Sequence, residues 1–249
     1  MLIVFLSCLG TSAKVLELES QIYEQKQKLA EYEQRHQDCQ RLLDQKVQVK
    51  SKERQESEAQ DLSKAIEEHF LRGLLSTQER NKGREKLVLM ERRYSQTTFY
   101  RERYPALKDK ITILDEPAPE DWFIQEELSG AWRFQEERLS FIVFWENWCA
   151  YCLHEMPRLQ RLHEAFSDNG LDVVGVTRMT KDVQKEQVMA TIQENGITYP
   201  VLRETGALSS RLAVRGIPDA ILIQGGIVIW RGHPSYIQES DIARLLRVE

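Results

Sequence analysis

Two cysteines, Cys149 and Cys152, stand two residues apart in the run Phe144-Trp145-Glu146-Asn147-Trp148-Cys149-Ala150-Tyr151-Cys152. A pair at this spacing can close an internal disulfide and open it again, which is the chemistry of thiol–disulfide exchange. Two elements must position the sulfurs. The apolar run Leu139 to Trp145 reads as a buried strand. The segment Cys149 to Phe166 carries helix signals and stops near Asn169-Gly170. A strand ending into a helix puts the first sulfur at the helix N-terminus, where unpaired backbone N–H groups and the macrodipole favour a thiolate. The second sulfur then lies one turn on.

Composition narrows the alternatives. The chain has 249 residues, an apolar fraction of 41% and a formal charge of -5, so no basic surface points to nucleic acid. The four cysteines, Cys8, Cys39, Cys149 and Cys152, do not make a disulfide-rich scaffold. A lone CxxC is half of a zinc site, and no second pair is present. Leu153 precedes His154, so the motif is not that of c-type haem attachment. The Pro-x-x-x-Thr-x-x-Cys arrangement of a thiol peroxidase is missing. No cofactor or metal is expected.

The remaining chain divides in three on sequence grounds. Residues 1–13 are apolar and then small, with Thr11 and Ala13 placed as in a short secretory signal, although a basic n-region is lacking. A lipid anchor on Cys8 and a disordered or helical N-terminus are the alternatives. Residues 14–104 are dominated by Glu, Gln, Lys, Arg and Leu and read as helix. Val15, Ile22, Leu29, His36 and Leu43 fall on one heptad position, and Leu18, Gln25, Tyr32, Cys39 and Lys46 on another. That pattern predicts a coiled coil and a homo-oligomer through residues 15–46, with a single solvated helix as the alternative. Residues 46–61 are almost wholly polar and read as a solvated helix or hinge. Helical spacing returns at Leu62, Ile66 and Phe70 and again at Leu87, Met90 and Tyr94, and Pro105 is expected to close the region.

Residues 105–249 read as α/β. Ile111–Leu114 is predicted as a short strand and Asp121–Trp132 as a short helix or irregular cover. A second core strand is expected at Leu171–Val176, a helix at Lys181–Asn195, and a short helix at Ala207–Leu212. Gly216-Ile217-Pro218 makes a tight turn. Gln224-Gly225-Gly226 joins two strands as a hairpin, and Ser240 is placed to cap the last helix. The two central strands are expected to be parallel, because a helix connects them.

Residues ~110–249 resemble the thioredoxin-like superfamily, and within it the bacterial extracytoplasmic proteins of the TlpA and ResA type. The resemblance rests on Phe144-Trp145, Trp148-Cys149-x-x-Cys152, Glu155-x-Pro157 and Gly216-Ile217-Pro218. It implies a central mixed sheet flanked by helices and a thiol–disulfide oxidoreductase, with Cys149 as the attacking and more exposed sulfur and Cys152 as the resolving one. Glu155 would tune the cysteines and relay a proton; as a bare sequence feature, a solvated helix charge is the alternative. Val143 stands where thioredoxins proper carry a buried aspartate. The resemblance also implies a cis bond at Ile217-Pro218, a substrate ledge on the backbone of Ile217, and Asp219 as a charge near the groove. Trp148 would pack beside Cys149 and Tyr151 would rim the site, while Glu146 and His154 read as surface residues. Protein thiols or disulfides are the implied substrates, with a membrane reductase as electron donor and a location outside the cytoplasm. An oligomeric disulfide oxidase or isomerase, a coiled-coil adaptor without catalysis, and a cytoplasmic role if residues 1–13 are no signal are the alternatives.

Overall fold

A computed structural model describes residues 2–72 and 76–247, with side chains described for 14–70 and 76–247. The readings of residues 1–13 as a signal and of Cys8 as a lipid site therefore lie outside the described side chains. Helix α1 spans Leu2–Arg72. The chain separates into two compact units, Met1–Ser57 and Glu58–Glu249. In the first, every side chain from Lys14 to Lys50 is exposed, and the helix surface carries local pairs such as Lys28 with Glu24 at 2.8 Å. Among the described residues, no helix is long and apolar enough to cross a membrane.

The second unit is built on a six-stranded sheet. Its strands are β1 (Ile124–Ser129), β2 (Leu139–Phe144), β3 (Leu171–Thr177), β4 (Val201–Glu204), β5 (Asp219–Gln224) and β6 (Ile227–Gly232), in spatial order β1-β4-β3-β2-β5-β6. Strand β2 runs parallel to β3 and antiparallel to β5. The β2–β3 crossover is helix α4 (Ala150–Phe166), as a parallel pair requires. Alternation along the central strands feeds two cores. Phe141, Val143, Val173 and Leu222 face one with Leu159 and Leu162 of α4. Ile142, Phe144, Val174 and Ile221 face the other.

That second face is covered by helices from residues 58–112. Ile66 and Phe70, then Leu87 and Met90 of α2 (Thr77–Tyr94), then Tyr104, Leu107 and Ile111 of α3 (Thr98–Thr112) share its core with the sheet. The sequence suggested a boundary between 104 and 105, whereas the compact unit starts at Glu58. At Gly83 the α2 backbone lies against the Phe70 ring, and a Cβ there would sit 2.7 Å from Cε2.

Several local expectations are corrected. Pro105 does not end a helix but lies inside α3. Its missing N–H is tolerated because Tyr104, Leu107 and Ile111 bury one face of that helix. Ile111–Leu114 is not a strand: Ile111 and Thr112 end α3, Ile113 is its C-cap, and Leu114 lies in the turn that follows, with Ile111 and Leu114 both in the core. Within Asp121–Trp132 lies β1, a polar edge strand antiparallel to β4 whose mostly hydrophilic sequence concealed its extended form. Helix α5 is shorter than expected, Lys185–Glu194, because Lys181 and Asp182 take positive φ in the preceding turn. The short helix expected at Ala207–Leu212 is α6 (Ala207–Arg211), and the last helix, α7 (Glu239–Leu246), is capped by Gln238 and Asp241 rather than Ser240. The glycine hairpin is as expected, with Gly225 and Gly226 at φ 57° and 73°, the twist a two-residue β-turn needs.

Candidate active site

Strand β2 is buried on both faces and carries the chain to Trp145, whose N–H donates to Val176 O at 2.9 Å. A turn follows, closed by Cys149 N–H donating to Glu146 O at 3.0 Å. Cys149 is the N-cap of α4, and its Sγ accepts from Cys152 N–H at 3.2 Å. The two cysteines are joined as a disulfide, with their Cα atoms 5.2 Å apart. Sγ of Cys149 therefore lies at the positive end of a helix, where backbone N–H groups support negative charge on a sulfur. Cys149 is 6% and Cys152 2% exposed, so the expected order of exposure holds but both are nearly covered.

The second wall comes from the turn before β5. The Ile217-Pro218 bond is cis. Sγ of Cys149 lies 3.9 Å from the carbonyl oxygen of Ile217, 68 residues along the chain. Pro218 reaches behind the disulfide and, with Val143, Trp145, Cys152, Glu155 and Tyr199 among others, lines a cavity of about 10 Å³. That is roughly the room one water occupies. Burial pushes the Tyr199 phenol well above its ordinary range, so its hydroxyl stays protonated there. The Trp145 indole N–H has no hydrogen-bond partner among the described residues.

Glu155 is not a solvated helix charge. It is 8% exposed and accepts from Arg158 Nε at 2.9 Å. Arg158 in turn donates to Ile237 O at 2.7 Å and Pro234 O at 2.5 Å, so the carboxylate is tied through one guanidinium to the chain before α7. Sequence reading passed over Arg158. Its place three residues after Glu155, one helical turn on, was the available signal.

Glu146 is corrected from surface to interior. It is 4% exposed, and its two carboxylate oxygens accept from Arg178 N–H at 3.1 Å and Thr180 N–H at 2.9 Å. Trp148 is 44% exposed, donates Nε1–H to Thr180 Oγ1 at 3.1 Å, and carries Lys181 Nζ 3.3 Å from its ring centre. Tyr151 is 78% exposed, so it stands out from the site rather than closing a rim. Asp219 is also corrected. It is buried and bound by Arg231, Nε at 3.1 Å and Nη2 at 2.7 Å, so its charge is neutralised inside the fold. Arg231 further donates to Leu212 O and to Ala213 O, holding the chain on the approach to Pro218. No sequence period links Asp219 to Arg231, because cross-strand proximity in the hairpin brings them together.

Residues 128–231, which span β2 through most of β6 and include both cysteines and Pro218, match the AhpC/TSA family. This part of the chain, under half of the whole, is similar to that family. It is similar to the thioredoxin-like protein YneN of Bacillus subtilis, 24% identical over 106 residues, which are 43% of this chain and 62% of that protein. It is also similar to the thiol-disulfide oxidoreductase ResA of Halalkalibacterium halodurans, 22% identical over 130 residues, 51% of this chain and 72% of that one. A solution structure of a thioredoxin-like protein in the oxidised form superposes with a TM-score of 0.47 at 24% identity, over 53% of this chain and 97% of the other. The alignment with YneN thus spans under two thirds of that relative's length. Within the thioredoxin-like domain, Cys149, Cys152, Glu155, Ile217 and Pro218 converge on one spot, Trp148 flanks it, and Tyr151 points away into solvent.

Proposed function

We propose that the protein is a thiol–disulfide oxidoreductase that uses the Cys149–Cys152 pair to reduce disulfides in protein substrates. The observation that carries this is the meeting of a helix-capping disulfide with the Ile217 carbonyl, 3.9 Å from Cys149 Sγ. In the reduced protein, the Cys149 thiolate attacks one sulfur of a substrate disulfide. A Cys149–substrate bond forms, and the other substrate sulfur leaves as a thiolate that takes up a proton. Cys152 loses its proton, with Glu155 as the acceptor beside it, and its thiolate attacks Cys149 Sγ. The Cys149–Cys152 bond forms and the second substrate thiol is released, so two electrons pass from the protein to the substrate. A membrane reductase is the proposed source of electrons that reopens the disulfide. The backbone of Ile217 pairs with an extended substrate segment beside the reacting sulfurs. ResA is named as a thiol-disulfide oxidoreductase, which supports the same chemistry and, through the resemblance, a site of action outside the cytoplasm.

Insulin-type disulfide reduction tests this reading. Cys149→Ser should abolish turnover, and Cys152→Ser should accumulate covalent mixed disulfides on gels run without reductant. Unchanged turnover in either variant would overturn the assigned roles. The reduction potential of the pair sets the direction. A value near thioredoxin's, about -270 mV, supports a reductase, whereas one near -120 to -180 mV supports an oxidase or isomerase. The second reading has its own support in the apolar heptad positions of residues 15–46, exposed on α1, which would pair in an oligomer.

A further inference from the structure

Glu146 has no part in the exchange of sulfurs, yet it is a buried carboxylate placed three residues before Cys149. Both of its oxygens are used on one short turn, the backbone at Arg178 and Thr180 between β3 and α5. The same turn holds Trp148 through Thr180 Oγ1 and lays Lys181 over the Trp148 ring. Met179, Lys181 and Asp182 all take positive φ without being glycine, a conformation that needs an external clamp to persist. The carboxylate–amide bonds are the charge-assisted kind suited to that task. The outcome is a wall beside Cys149 made of one half-exposed indole and a turn that bears Lys181, with Asp182 as the acid of that turn, while the Arg178 guanidinium lies over Gly206. Arg178 and Lys181 are exposed, and among the described residues neither makes an ion pair.

We propose that this turn is a specificity wall, positioned by Glu146, which selects substrate segments carrying acidic side chains next to the disulfide. The proposal rests on the oxidoreductase reading and names the substrate class of that site. An extended segment lying on the Ile217 ledge passes Cys149 and meets Trp148. An aspartate or glutamate there finds the Lys181 ammonium already seated on the aromatic face, so little side-chain freedom is lost on pairing. A lysine in the same place meets like charge.

The test uses the full chain, pre-reduced, and three disulfide-bridged peptides that differ only in acidic, neutral or basic residues flanking the cystine. The parent should show a KM about two- to five-fold lower for the acidic than for the basic peptide, the range one exposed ion pair supports, and the gap should shrink in high salt. Lys181→Glu should invert that ratio, with the change carried by KM rather than kcat. Glu146→Gln should abolish the ratio and shift Trp148 fluorescence, because one of the two backbone amides loses its acceptor; a merely structural Glu146 would leave the ratio intact in folded protein. Equal KM values for acidic and basic peptides in the parent would overturn the proposal. So would an unaltered ratio in Lys181→Glu, an exposed position where folding is not at risk. Failure of the parent to reduce any of the three peptides would overturn the oxidoreductase reading itself, and this inference with it.

Discussion

The ion pair behind the Pro218 turn permits a prediction in energies. Arg231 and Asp219 have side chains 1% and 6% exposed, and their two hydrogen bonds are joined by two more from Arg231 to the carbonyls of Leu212 and Ala213. Replacing Asp219 by Ala leaves a guanidinium buried without a counter-charge, which costs about 3–5 kcal/mol. Arg231→Met leaves the carboxylate buried instead and removes both carbonyl bonds, again costing about 3–5 kcal/mol. The double variant has neither orphaned charge. It keeps only the loss of donors to Leu212 and Ala213 and some lost packing, so it should cost about 2–4 kcal/mol rather than the sum. The coupling energy is then about 2 kcal/mol or more. Urea unfolding followed by tryptophan fluorescence measures it. With a slope of about 2–3 kcal/mol per molar urea for a domain of this size, each single variant moves the midpoint down by about 1–2 M. Additive single costs, with coupling under about 0.5 kcal/mol, would refute the view that the two charges stabilise each other across the hairpin. A double variant as unstable as the sum would do the same.

Other consequences follow from neighbouring features. Gly83→Ala should gain about 1 kcal/mol of helix propensity but lose more by overpacking the Phe70 ring, a net cost of about 1 kcal/mol that Phe70→Leu in the same chain should reduce; thermal unfolding of the set decides this. Asp115 lies between Arg84 at 2.7 Å and Arg80 at 2.9 Å. Burial alone would raise its pKa, but the two guanidiniums outweigh that and hold it below its ordinary 3.8. The stability it contributes is therefore present above about pH 3.8 and is lost as the pH falls through the lower folded value, and Asp115→Asn should flatten that part of an acid-unfolding curve. Burial pushes the His163 imidazole below its ordinary 6.5, so its contribution is full above that pH and declines as acidification charges it. His163→Gln should remove the slope of stability just below pH 6.5 in urea titrations at several pH values. Sedimentation of residues 14–57 tests the heptad reading, and a concentration-independent monomer would remove it.

The part of the candidate site that was legible is the part made of residues close in sequence. Cys149, Cys152 and Glu155 are set by helix spacing, and the apolar run of β2 announces the strand that delivers them. Gly225-Gly226 declares its own turn. The Cys149-x-x-Cys152 spacing by itself suggests thiol–disulfide exchange. Tertiary structure decided what those residues meet. The burial of Glu146 and of the Asp219–Arg231 pair was hidden in a linear reading, because a charged side chain carries no local sign of a buried partner 12 or 32 residues away. β1 was hidden because an edge strand buries only part of one face, and its pattern follows β4 rather than its own neighbours. The extent of the folded unit was hidden for a related reason. The apolar faces of residues 58–112 have the same period whether they meet another helix or the far side of a sheet, and only packing settles which surface they cover.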